Sequence, residues 1–142
     1  MIEINSWLEM QRKKIGCDFL GVAENVAEKN QTTEIRWLHV AGNQGTAYQK
    51  IRLRVGRGIA GIVWKTGRMH EEHHILSQTD KLAEYPIART EKLQSSLAAP
   101  IIDNREVYGV VLMGYRQEKY FSENDKESLI QICEALKGKL EE

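Results

Sequence analysis

Two short stretches carry residue types at spacings suited to chemistry. Residues 56–61 read GRGIAG, a G-x-G-x-x-G, and residues 70–74 read HEEHH, an H-E-x-x-H. For GRGIAG three readings compete. A dinucleotide site needs a buried parallel strand, a long helix and an acid about 20 positions on. Here the preceding IRLRV carries Arg52 and Arg54 on alternate positions, the following helix is short, and Glu71 and Glu72 come too early. The glycines alone can make a tight strand-to-helix turn. Alternatively, the free N–H groups of Ile59 and Ala60 at the helix start offer a site for an anion or a polar ligand, helped by the helix dipole. No acidic residue lies between Gln49 and Met69 to repel one. Arg57, the nearby cation, reads as a solvated turn residue.

HEEHH suits a zinc protease only on a helix with a third ligand. The segment follows Thr66-Gly67 and lacks apolar helical flanks, so a solvated edge or loop is expected and no metal. His39 reads as a core or pocket histidine. Trp37 lies mid-strand, Trp64 on the short helix, and Tyr85 just before Pro86. Core packing accounts for part of the tryptophans' role, but a buried indole N–H or phenol O–H needs a partner, and a pocket wall supplies one. No G-x-S-x-G occurs, and no cysteine lies between Cys17 and Cys133. The acid pairs Glu71-Glu72 and Glu141-Glu142 fall in stretches that read as exposed. An enzyme is not expected, and no cofactor is implied.

The elements that must position these residues follow from periodicity and breakers. Residues 3–14 form an amphipathic helix ended by Gly16. Residues 17–27 and 34–43 read as strands. IRLRV at 51–55 alternates apolar residues and arginine, the pattern of a half-exposed strand. GIAGIVWKTGR forms a helix of about two turns stopped by Gly67, and residues 69–75 suit a short edge strand. Residues 77–94 read as a long covering loop with a helical turn. SSLAAPIID and REVYGVVLMGYR pair around Asp103-Asn104-Arg105-Glu106. Ser122 and Asp125 cap a last helix whose apolar stripe is Leu129, Ile130, Ile132, Cys133, Leu136 and Leu140. Antiparallel neighbours dominate, so the class is α+β with helices laid against one sheet.

The bulk numbers agree with one domain over residues 1–142. The chain is 42% hydrophobic, and its 20 Lys and Arg balance 20 Asp and Glu. Such neutrality removes the footprint of a nucleic-acid binder. No apolar run approaches the roughly 20 residues of a membrane helix. The N-terminal stretch has an acid at position 3 and no apolar core, unlike a signal peptide. Two distant cysteines suit a reduced, cytoplasmic setting.

IRLRVGRGIAGIVWKTGR, SSLAAPIIDNREVYGVVLMGYR and FSENDKESLIQICEAL, in this order and spacing, resemble a GAF domain over nearly the whole chain. The resemblance implies an antiparallel sheet of five or six strands, with N- and C-terminal helices on one face and a ligand pocket on the other. Within the family the chain is similar to the stand-alone nitrate receptors of bacterial nitrate-response systems. The carriers are Trp37, Ile59-Ala60 after Gly-Arg-Gly, and Tyr85-Pro86-Ile87. The resemblance implies nitrate, or a similar small anion, held by the N–H groups of Ile59, Ala60 and Ile87 with Trp37 and Trp64 lining the cavity. It also implies a sensor histidine kinase as partner. Other family roles stay open. Phe121 and Asp125 match part of a cyclic-nucleotide motif, although Asp125 also fits the helix cap. The free methionine sulfoxide reductases need cysteines near the pocket. A ligand-free domain that serves only as a homodimerisation module through its terminal helices would use Trp7 and Leu8.

Overall fold

A computed structural model describes residues 3–140; Glu141 and Glu142 lie outside them. Helix α1 (Ile4–Ile15) starts at Glu3, whose carboxylate accepts from the N–H groups of Asn5 and Ser6, and ends at left-handed Gly16. Strands β1 (Phe19–Asn25) and β2 (Ile35–Ala41) follow, then a 3-10 turn at Ala47–Lys50. Helix α2 (Gly58–Thr66) leads to β3 (His70–Glu72). Two short helices, α3 (Thr79–Glu84) and α4 (Pro86–Glu91), precede the hairpin β4 (Ser95–Asp103) and β5 (Glu106–Tyr115), and α5 (Glu123–Leu136) closes the chain. The sheet has five strands in the order β2-β1-β5-β4-β3, with every pairing antiparallel.

Side chains alternate across this sheet, and two apolar clusters result. One holds Leu8, Leu20, Val111, Met113, Leu129, Ile132 and Leu136 under α1 and α5. The other holds Phe19, Trp37, Ile59, Ala60, Tyr85, Ile87 and Leu112 under α2 and α4. Both terminal helices therefore pack on one face, as the family resemblance implies.

Four expectations are corrected. IRLRV keeps its alternating burial, with Ile51 and Leu53 inside and Arg52 and Arg54 outside. It joins the sheet at a single bridge, between Leu53 and Ile35, because the chain turns away at Gly56 immediately afterwards. Residues 77–94 are not a loop with one turn but mainly two helices. Pro86 begins the second, in keeping with its preset φ, and left-handed Lys92 ends it. Ile130 is 44% exposed, because the buried seam runs through Leu129, Ile132, Cys133 and Leu136. Leu8 is fully buried in its own core and cannot be a contact residue of a dimer.

Candidate functional site

All three glycines of GRGIAG have backbone reasons to be glycine. Gly56 and Gly58 have φ of +88° and +68°, a region L side chains avoid. At Gly61 an added Cβ would stand 2.4 Å from the Arg54 carbonyl oxygen, and the Gly61 carbonyl accepts from Gly56 N–H at 2.7 Å. The motif folds the chain tightly back on the first turn of α2. Its N-cap, Arg57, gives no side-chain hydrogen bond to the helix. The N–H groups of Ile59 and Ala60 therefore begin the helix without intrahelical acceptors.

Trp37, Ile59, Ala60, Tyr85 and Ile87 all belong to one buried cluster. Trp64 is partly buried and packs against it. Pro86, half-buried, lines a groove of about 330 Å³ with Tyr85, Gly56, Arg57 and Gly58. The elements responsible are β2, which places Trp37; α2, which places Ile59, Ala60 and Trp64; and the α3–α4 junction, which places Tyr85, Pro86 and Ile87. Ile87 is the second residue of α4, so its N–H also precedes any intrahelical acceptor. Arg57 is exposed at the groove, consistent with a solvated turn residue.

The indole of Trp37 stands out. The residue is 2% exposed, and its Nε1 is buried with no hydrogen-bond acceptor among the described residues. Buried donors are almost always paired. An orphan indole N–H inside an apolar cluster is a donor suited to an acceptor from outside the chain.

HEEHH behaves as a strand edge, and among the described residues no group of three His, Cys, Asp or Glu side chains could hold a metal ion. Alternation divides its acids. Glu71 lies opposite Leu97, on the terminal-helix face, and Glu72 opposite Ser96, on the other face. The expectation that both acids are exposed fails for Glu72, which is 8% exposed. Tyr85 donates its phenol hydrogen to Glu72 Oε2 at 2.8 Å. His70 Nε2 lies 2.7 Å from the same oxygen, and Lys81 Nζ lies 2.8 Å from Oε1. Burial would push the Glu72 carboxyl up, but hydrogen bonds from His70, Lys81 and Tyr85 outweigh it and hold it down at about 2. Burial and the bond to Glu72 push the Tyr85 phenol up. The Tyr85 hydroxyl is thus committed to β3.

A second buried acid sits at the other end of α4. Glu91, 1% exposed, accepts from Arg116 Nη2 at 2.7 Å and from Gln44 N–H at 2.8 Å. Arg116 also donates to the carbonyls of Glu91, Gly42 and Asp18. Sequence reading missed both acids. The period-2 pattern of residues 70–72 is the signal that could have turned Glu72 inward.

The rival sites fall elsewhere. Phe121 packs in the terminal-helix cluster, and Asp125 closes a reciprocal capping box with Ser122. Cys17 and Cys133 belong to that same cluster, and burial pushes both thiols up to about 12. Neither is the accessible, readily ionised thiol that sulfoxide chemistry requires. No described helix is long and apolar enough to cross a membrane.

An antiparallel sheet with its end helices on one face and a helix-covered aromatic cluster on the other is the arrangement of the GAF class. A family model for the GAF domain matches residues 12–137, and the chain belongs to that family. It is similar to a structure of NreA from Staphylococcus aureus mutated in its nitrate binding site. Identity is 34%, the TM-score is 0.76, and the match covers 85% of this chain and 91% of that one. A second structure of mutated NreA from the same organism is 32% identical, with a TM-score of 0.75 over 87% and 95% of the two chains. A free methionine-R-sulfoxide reductase from Neisseria meningitidis is 17% identical with a TM-score of 0.74, covering 97% and 75% of the two chains, a likeness of fold alone. No curated protein matches by sequence.

Proposed function

We propose that this chain is a cytoplasmic receptor for nitrate or a similarly small monovalent anion, acting on a sensor histidine kinase. The observation that carries the reading is the buried Trp37 Nε1 without an acceptor. In this reading the anion accepts from Trp37 Nε1 and from the N–H groups of Ile59, Ala60 and Ile87. Trp64, Tyr85 and Pro86 form the walls. Nitrate is weakly hydrated and spreads one charge over three oxygens. Converging N–H groups and the α2 dipole can hold it without a lysine or arginine. Apolar walls disfavour sulfate and phosphate, whose desolvation costs more. The likeness to NreA supports nitrate as the first ligand to test.

In this reading the signal passes to the kinase through a change of state in the chain. The ligand-free form restrains the kinase, and nitrate orders the covering segment 77–94 and weakens that contact. This requires nitrate to bind the two states with different affinity. The test is calorimetric titration with nitrate, with sulfate and chloride as controls, repeated on Trp37→Ala. Saturable one-site binding, lost in the variant and absent for sulfate, is expected. No heat and no thermal stabilisation by nitrate would discard the reading.

A further inference from the structure

The segment covering the cluster is held unevenly. Helix α4 buries Ile87, Ala88 and Glu91, whereas α3 buries no residue at all. Only Leu82 of α3, partly buried, touches the apolar cluster. The hydrophobic effect therefore does little to fix α3, although Tyr85 at the junction behind it is buried in the cluster. Polar contacts must hold α3, and the shortest converge on one carboxylate, while Lys81 Nζ also donates to the His73 carbonyl at 3.5 Å. Glu72 takes Lys81 from α3 on one oxygen, and Tyr85 from the junction together with His70 from its own strand on the other. The rings of His70 and Tyr85 also meet edge-on, with centroids 6.4 Å apart. From β4, the neighbour opposite Glu72 is Ser96, which carries no charge. Charge-assisted bonds to a buried acceptor are the strong ones, so this small network adds to the burial of Tyr85 and Ile87 in placing the cover.

We propose that Glu72 is a positioning residue of the ligand site: its carboxylate fixes Tyr85 and Lys81, and thereby aims the Pro86–Ile87 backbone at the cluster holding Trp37, Ile59 and Ala60. The inference rests on the anion reading above. Glu72 touches no ligand. It acts through the Tyr85 hydroxyl, whose loss displaces the Ile87 N–H.

The test joins two measurements on the full chain. Hydrogen exchange of the ligand-free protein reads the cover directly. In Glu72→Gln, amides of residues 80–88 exchange about tenfold to a hundredfold faster, the loss of a charge-assisted bond, while those of β1 and β5 keep their protection. Tyr85→Phe removes the same bond from the other side without altering β3, and the same acceleration is expected. Nitrate titration then shows weaker binding in both variants, and the double variant is no weaker than the worse single one, because both act through one contact. Glu72→Asp, keeping the charge, recovers part of the affinity. Unchanged exchange over 80–88 overturns the proposal. So does faster exchange with unchanged nitrate affinity, or faster exchange throughout the sheet. Failure of the unsubstituted protein to bind nitrate overturns the anion reading, while the exchange data still decide whether Glu72 holds the cover.

Discussion

Replacing Trp37 with phenylalanine separates the two roles of the indole. The substitution keeps an aromatic ring in a site that is 2% exposed and deletes the Nε1 donor, which has no acceptor within the described chain. Two effects oppose each other in the ligand-free protein. Removing an unsatisfied buried donor recovers about 1–3 kcal/mol, and the smaller ring forfeits packing of similar size. Ligand-free stability should therefore change little, by less than about 2 kcal/mol. The response to nitrate should change much more. At a hundredfold excess over Kd, nitrate stabilises the unsubstituted protein by about 2.7 kcal/mol. For 142 residues, at roughly 2 cal/mol/K of unfolding entropy per residue, that is a rise in Tm of about 9 °C. Loss of one hydrogen bond to the anion weakens binding about tenfold to a hundredfold. The same nitrate concentration then raises Tm by only about 1–5 °C. Thermal denaturation with and without nitrate reads both numbers. A Trp37→Phe protein that keeps the full shift would show that the indole N–H does not serve the ligand.

Other perturbations test the frame around the site. Gly61→Ala sets a Cβ against the Arg54 carbonyl at 2.4 Å, backbone against backbone. Thermal unfolding should show a loss of about 3 kcal/mol, against about 1 kcal/mol for Gly67→Ala, where only the positive φ is at stake; equal losses would contradict the close-approach argument. Glu91→Gln leaves the Arg116 guanidinium without its counter-charge, and urea unfolding should lose about 3 kcal/mol. An unchanged urea midpoint would refute a structural role for that pair. Glu72 gives an acid-side signature. Its carboxyl is held at about 2 against an ordinary 4.5, so the folded state stays ionised where the unfolded chain takes up a proton. The contribution is complete above about pH 4.5 and disappears as pH falls through 2, amounting to roughly 3 kcal/mol at about 1.4 per pKa unit. In Glu72→Gln the stability curve should be flatter between those limits, and a curve parallel to that of the unsubstituted protein would refute the shift.

The order of elements was readable because its signals are local. Gly16 and Gly67 end helices in the left-handed conformation, Ser122 and Asp125 form their capping box, and Asn104 and Arg105 take the positive φ of a tight hairpin. IRLRV shows the limit of such reading. Alternation reports which side chains face inward, and that much holds, but it does not report whether a neighbouring backbone runs alongside. Helices α3 and α4 have six residues each, too few for a helical period to emerge. At the candidate site, Trp37, Ile59, Ala60, Tyr85 and Ile87 share one cluster, whereas Pro86 lines the neighbouring groove and Trp64 stays at the margin. Glu72 escaped notice because a carboxylate among histidines and another acid looks solvated. Its partners Lys81 and Tyr85 belong to later elements.

Strand β3 is three residues long, yet its two acids serve opposite sides of the sheet. Glu71 pairs with Lys126 of α5 and with His73, while Glu72 holds Lys81 and Tyr85. A strand has only two sides, so adding or removing one residue between Gly67 and His70 would exchange them. Glu71 would then be turned toward the cover and Glu72 toward α5. The length of this connection acts as a key that assigns each carboxylate to its lock, which makes the Arg68-Met69 link far less tolerant of insertion than the exposure of Arg68 suggests.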